Sequence, residues 1–361
     1  MPDITCCNLR NFLEIEKQKY NVNAITLGVS YENNNHVIAE GDSITNLENE
    51  IEMHYRIGGQ SIGIYTTLSL ILTEKGYFEL SNTIDKWLPE VPNSNKITLK
   101  MLGNMTAGLK DYALDDPTFS TALDTNPFTY YPKEYLLKLV INSVPLFEPG
   151  TDWHYAPHTN ILLLGLIMEI VTNTNIKELL KKYIIYPLYL LDTSYNDINA
   201  LIPNPVLHSF STERGEFFGI GDVLEESTYW NSSWGAYTSS ITSNVKDMIT
   251  IIGAIASGQL ITNASYDELI SPDTVGLANN KPDGYYAYGI IVGRYFIENY
   301  PLLWLNQTFG GYSGMYGAVP CINFRLHVQC NVQRNENPSY ATQIFNDFLD
   351  YFDIPYIITQ D

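Results

Sequence analysis

Positive charge is scarce in this 361-residue chain. Its 20 Lys and Arg are outnumbered by 40 Asp and Glu, for a formal net charge of −20. Nucleic-acid binding is driven by cations that displace counterions from phosphates, so this balance argues against a nucleic-acid partner. The same field repels anionic membrane surfaces. Cysteine is scarce as well. Four residues (Cys6, Cys7, Cys321 and Cys330) are too few for a disulfide framework in a chain of this length, and the last two are expected on late strands. No C-x-x-C pair and no H-E-x-x-H helix marks a metal site, and no cofactor is expected. The first 20 residues lack the apolar core of a signal peptide. The longest apolar stretch, "NILLLGLIMEIV" at 160–171, is too short to span a bilayer and carries Glu169. A cytoplasmic protein is the expectation, with self-association into a homo-oligomer left open.

What is present is a globular composition, 45% hydrophobic with 27 Tyr, 14 Phe and 5 Trp. Residues 24–30 ("AITLGVS") and 36–40 ("HVIAE") read as a hairpin across "YENNN". "YRIGG" is followed by a helical apolar run, "IGIYTTLSLILTEKG", which ends at Gly76 as a helix C-terminus would. Helical patterns and proline breaks fill the middle, clearest in "NILLLGLIMEIVTNT" and "NIKELLKKYIIYPL". From 285 the period changes to two, in "YYAYGIIVGRYFI", "GMYGAV" and "NFRLHVQCNVQ", before a closing helix in "YATQIFNDFLDYF". This predicts an α+β fold: an antiparallel sheet built from both termini and flanked by helices, plus a mostly helical lobe. One domain spanning 1–361 is expected, with 1–76 and 285–361 forming the sheet lobe and 77–284 the helical lobe and cleft loops.

Several landmarks then occur in order: "YRIGG", "EKGYFELSNTIDKWLPE", "KITLKMLGNMTAGL", "EPGTDWHYAPHTNILLLGLIMEIV", "YPLYLLDTSY", "GAYTSSITSNVKDM", "YAYGIIVGRY" and "GGYSGMYG". Through them the chain resembles the serine β-lactamase-like superfamily, in particular the branch of class C β-lactamases, D-alanyl-D-alanine carboxypeptidases and family VIII esterases. The resemblance implies a cleft between the sheet and a helical lobe. It also implies three catalytic elements, and all three are altered here. The first, S-x-x-K, places a nucleophile and a proton acceptor one helical turn apart. Anchored on Arg56-Ile57-Gly58 and Glu74-Lys75-Gly76, its serine position is Gly59 and its lysine position Ile62. The second, Y-x-N, falls on Tyr155-Ala156-Pro157-His158, where Tyr155 is kept but the Asn is not. The third, K-T-G or H-x-G, falls within "FGGYSGMYG" at 309–317, with Gly311 or, in a shifted register, Phe309 where the cation belongs.

A residue without a side-chain oxygen cannot form an acyl-enzyme, and Ile62 cannot take a proton. Tyrosine ionises near pH 10, so a Tyr base at neutral pH needs nearby positive charge, which both altered elements would have supplied. The family's acyl transfer is therefore not expected.

The stretch "GGQSIG" also contains G-x-S-x-G, the spacing of a nucleophile elbow. Two residues past Gly59 on a helix, Ser61 is turned about 200° from the cleft, which makes it an ordinary helix serine.

Three readings remain. A ligand-binding protein would hold a small molecule or peptide in the old cleft, with Gly59 on its floor and Asn104, Tyr155, His158, Trp230, Trp234, Tyr237, Tyr312 and Ser313 as walls. A repurposed enzyme would perform elimination, cyclisation or isomerisation without a covalent intermediate, using Tyr155 and His158 as acid and base. A structural protein would use only the scaffold. Asp111 and Tyr112 read as loop structure at the cleft rim.

Overall fold

The computed structural model describes residues 3–32, 34–196, 200–334 and 338–359. The chain begins with helix α1 (Cys6–Tyr20), started by the Thr5 side chain accepting from the Asn8 N–H and ended by Asn21 in the left-handed conformation. The hairpin β1 (Ala24–Tyr31) and β2 (Asn34–Ile44) follows, then the short β3 (Leu47–Glu48). A 3₁₀ turn at Gly58–Ser61 leads into α2 (Ile62–Glu74), in which Ile62 through Leu72 are all buried. An apolar circumference of this kind marks a helix enclosed on every side. Further on come α3 (Pro157–Thr172) and α4 (Val245–Ala256), then β4 (Gly284–Tyr286), β5 (Ile291–Ile297), β6 (Tyr300–Phe309), β7 (Tyr312–Val319) and β8 (Phe324–Cys330). Helix α5 (Tyr340–Tyr351) and β9 (Tyr356–Ile358) complete the chain.

These strands make one antiparallel sheet in the order β9-β5-β6-β7-β8-β1-β2-β3, with β4 paired to the free side of β5. The joint between the two ends of the sequence is β1 against β8, from Ile25 opposite Cys330 to Ser30 opposite Arg325. Both faces of the sheet are covered, so β1 and β7 are buried along their whole length. On one face, Phe12 of α1 packs with Phe348 of α5 over Leu27, Met315 and Val328. On the other, α2, α3 and α4 share a core with Leu303, Leu305, Tyr312 and Tyr316. The period-two alternation thus decides which side chains of β6 and β7 can reach the helical lobe and which cannot. The fold is α+β with a sheet drawn from both termini, as expected.

The details differ from expectation in three places. Helix α1 is not evident from the composition of the first 20 residues, because its apolar face is carried by Leu9, Phe12 and Leu13 alone. Strand β6 is also missed: its Pro301 and the polar Asn306-Gln307-Thr308 conceal a strand that pairs on both sides. Cys321 is not on a strand. It lies exposed in the 3₁₀ turn Pro320–Ile322 between β7 and β8, while Cys330 ends β8; all four cysteines are free thiols. Among the described residues no single helix is long and apolar enough to cross a membrane.

Candidate functional site

The turn that opens α2 sits between β6 and the loop before α3. Gly58 has φ +47, and a β-carbon there would fall 2.2 Å from the Gln307 side-chain oxygen, so only glycine fits. Gly59 is different. A β-carbon there would stand 3.4 Å from the Asn306 carbonyl and 3.7 Å from the Tyr155 hydroxyl, both ordinary contacts. The position is open to a side chain and carries none. Ile62, three residues on, is fully buried in the apolar core. Ser61 is fully buried as well, and its hydroxyl donates to the Thr238 carbonyl at 2.9 Å. It ties α2 to the helical lobe and does not face the cleft.

Tyr155 reaches this turn from the loop before α3. The residue is 37% exposed, and its ring packs against Trp153 and Tyr286. Burial of the hydroxyl end, helped by the Asp111 carboxylate, pushes its ionisation well above the ordinary tyrosine value. Tyr155 is therefore a hydrogen-bond donor at neutral pH and not a base. Next to it is a dyad unseen in the sequence. Asp111, fully buried, accepts from His158 Nδ1 at 2.9 Å and from the His158 backbone N–H at 2.8 Å. It also accepts from the N–H groups of Ala113 and Leu114, both at 3.0 Å. Burial alone would raise the Asp111 carboxyl, but the adjacent His158 ring and these donors hold it below the usual carboxylate value. An ionised Asp111 can only accept, so the His158 Nδ1 carries a hydrogen directed at it.

The His158 ring continues the wall as an aromatic series. Its centroid is 5.1 Å from that of Trp234, and Trp234 stacks on Phe309 at 5.1 Å with 27° between the planes. This series spans from the second altered element to the third. The two candidate positions of the third element lie in different surroundings. Phe309 lies on the helical-lobe side of β6, its Cβ 2.9 Å from the point a Gly58 β-carbon would take. Gly311 instead backs against Phe210 and Ser227, away from the turn. An apolar ring thus stands beside the turn.

Several residues expected as cleft walls lie elsewhere. Tyr312 is fully buried with its hydroxyl donating to the Leu207 carbonyl at 2.5 Å. Ser313 points to the opposite face of the sheet and accepts from the Ala341 N–H of α5. Alternation along β7 separates the two, and neither lines the cleft. Tyr237 is likewise in the core, donating to Glu169 at 2.8 Å. Asn104 is 7% exposed, and its side-chain oxygen accepts from the Thr106 hydroxyl at 2.7 Å.

Beyond the Trp234–Phe309 stack is a cavity of about 440 Å³, lined by Arg56, Leu123, Asp124, Glu213, Arg214, Glu216, Phe217, Trp230, Trp234 and Phe309 among others. Of the residues expected as cleft walls, Trp230 and Trp234 line it. No sequence pattern joins these residues, which come from five separate segments. Among the described residues no group of three or more His, Cys, Asp or Glu could hold a metal ion.

The chain is 26% identical to penicillin-binding protein 4* of Bacillus subtilis (strain 168), over 237 residues covering 63% of this chain and 50% of that protein. It spans half to two thirds of the length of the curated relatives it matches. Among solved structures, a D-stereospecific amidohydrolase from Streptomyces sp. superposes with a TM-score of 0.81 at 21% identity, covering 95% of this chain and 98% of that one. D-amino acid amidase from Ochrobactrum anthropi SV3 gives 0.82 at 16% identity, covering 96% and 98%. These likenesses concern the fold. The family described as Beta-lactamase matches residues 52–345, from before the α2 turn into α5, and the chain belongs to that family.

Proposed function

We propose that this protein is a β-lactamase-family member without acylation machinery, and that it binds a small molecule or peptide in the cleft and the cavity that continues it. The observation that carries this reading is Gly59, an open position facing the Tyr155 hydroxyl with no nucleophile on it and with Ile62 one turn on. Tyr155 supports it, because its raised ionisation makes it a donor for a ligand oxygen rather than a proton acceptor. The aromatic series from His158 to Phe309 supplies apolar contact surface beside it.

One observation favours a second reading. Asp111 and His158 form an oriented acid–base pair at the cleft, able to move a proton in an elimination, cyclisation or isomerisation with no covalent intermediate.

The test has two arms. Serine-reactive phosphonates and a penicillin reporter are expected to leave the protein unlabelled, and covalent capture at any serine overturns the proposal. A thermal-shift screen is expected to yield ligands that stabilise the wild-type protein but not a Trp234→Ala variant. A ligand recovered chemically changed, with the change lost in His158→Gln, decides for the second reading.

A further inference from the structure

Two exposed apolar patches on this chain carry opposite charge. The first follows the helix Ile176–Leu180 and its continuation Lys181–Ile185. Tyr186, Tyr189 and Leu191 are 66%, 84% and 89% exposed there. Tyr189 holds the left-handed conformation (φ +52) at the end of this helix, a place that favours glycine, and its ring gains little contact in the isolated chain. These side chains line a hollow of about 440 Å³ together with the buried Leu190 and Tyr195 and the lysines Lys177 and Lys181. The stretch 175–191 has three lysines against one glutamate, in a chain whose acids outnumber its cations two to one.

The second patch is the loop that follows the short helix Glu213–Phe217. Phe217, Phe218, Ile220 and Val223 are between 41% and 65% exposed. Gly219 and Gly221 both have positive φ, and a β-carbon on either would meet nothing within 4 Å. The chain therefore turns in open space, and its apolar side chains stand at a projecting tip. Residues 213–226 carry five acids against Arg214, and the tip stays net negative with Arg334 paired to Asp222. The hollow and the tip share no residue. Scattered exposed apolar residues need no explanation, but contiguous patches of this kind mark contact surfaces.

We propose that copies of this chain associate head to tail, the acidic tip Phe217–Val223 of one copy seated in the lysine-bearing hollow between Tyr186 and Tyr195 of the next. The charge match selects the partner. A foreign protein would satisfy one patch, whereas a second copy satisfies both, because each patch finds its complement on the same chain. Tip against tip or hollow against hollow would set like charges together. The net charge of −20 does not forbid the contact, since at physiological ionic strength charges are screened beyond about 8 Å and the local match decides. Such a contact is heterologous, building a ring where the rotation closes and a filament where it does not. The inference is independent of what the cleft binds.

The experiment is sedimentation velocity of the full chain over a wide range of concentration. The wild type is expected to associate reversibly, and more weakly as salt is raised. Leu191→Asp in the hollow and Ile220→Asp at the tip are each expected to weaken association by about tenfold, with unchanged circular dichroism because both side chains are exposed. The decisive arm mixes the two variants. Each keeps the face that the other has lost, so the mixture is expected to form a 1:1 dimer that neither forms alone and that grows no further. A wild type that is monomeric at every concentration overturns the proposal, as do variants that associate like the wild type. A mixture that stays monomeric while the wild type associates overturns it too, because the contact would then join like patches.

Discussion

The Tyr155 hydroxyl lies 3.7 Å from the point where a β-carbon on Gly59 would stand. A side chain placed at Gly59 would meet that hydroxyl at van der Waals distance, so the two positions face one another across open space.

Replacing Gly59 with serine tests whether a hydroxyl at this position can act as a nucleophile. Its β-carbon would meet the Asn306 carbonyl at 3.4 Å and no closer backbone, so the fold should accept it with a stability change below about 1 kcal/mol. Catalytic sets act as units, and neither Tyr155 nor Ile62 can take the proton. Gly59→Ser is expected to remain unlabelled by phosphonates and penicillin reporters, as read by intact-mass spectrometry. Rapid labelling of this variant would show that a base survives in the cleft.

Ser61→Ala should affect stability and nothing else. The substitution deletes a buried hydroxyl and leaves the Thr238 carbonyl short of a donor, which costs about 1–3 kcal/mol in urea unfolding. Ligand affinities measured on the folded variant are expected to match those of the wild type. A loss of binding or turnover at unchanged stability would return Ser61 to the site.

How much of this was readable in advance depended on the kind of signal. The sheet was legible because period-two runs and a hairpin are local. Gly59, Tyr155, His158 and Trp234 could be placed from motifs. Asp111 could not be linked to His158, since 47 residues separate them and only the fold brings a buried carboxylate under that ring. Tyr312 and Ser313 were misplaced because their facing depends on the register of β7, which follows from the unrecognised β6. The cavity beyond Trp234 was invisible for the same reason as Asp111: its walls converge from distant segments.

Asp111→Asn separates orientation from charge. The carboxylate accepts from five donors of Ala113, Leu114, His158 and Thr159, and removing its charge should cost roughly 3–5 kcal/mol at neutral pH. Because its folded ionisation lies below the unfolded value near 3.9, wild-type Asp111 stabilises the fold above that pH, and the contribution disappears as the pH falls further. Urea midpoints for the wild type and variant should therefore differ most at pH 5–7 and converge toward pH 3. A constant difference across that range would mean that the Asp111 charge is not what matters.

His327 gives the opposite kind of acid sensitivity. It is fully buried on β8 opposite Tyr316, with its ring 6.0 Å from that of Tyr55 and with neither ring nitrogen partnered among the described residues. Burial pulls its ionisation down to about 3, while in the unfolded chain it titrates near 6.5. Between those values the unfolded state binds a proton that the folded state refuses, so stability falls as the pH drops from 6.5 toward 3 and is unaffected above 6.5. The loss from this one group is on the order of a few kcal/mol. His327→Leu removes the titrating group together with two unpaired polar atoms. It should be neutral or stabilising at pH 7.5 and should flatten the decline in urea midpoint between pH 6.5 and 4. An unchanged slope in that window would mean that His327 finds a partner or accepts its proton inside the fold, and would place the acid sensitivity on the carboxylates alone.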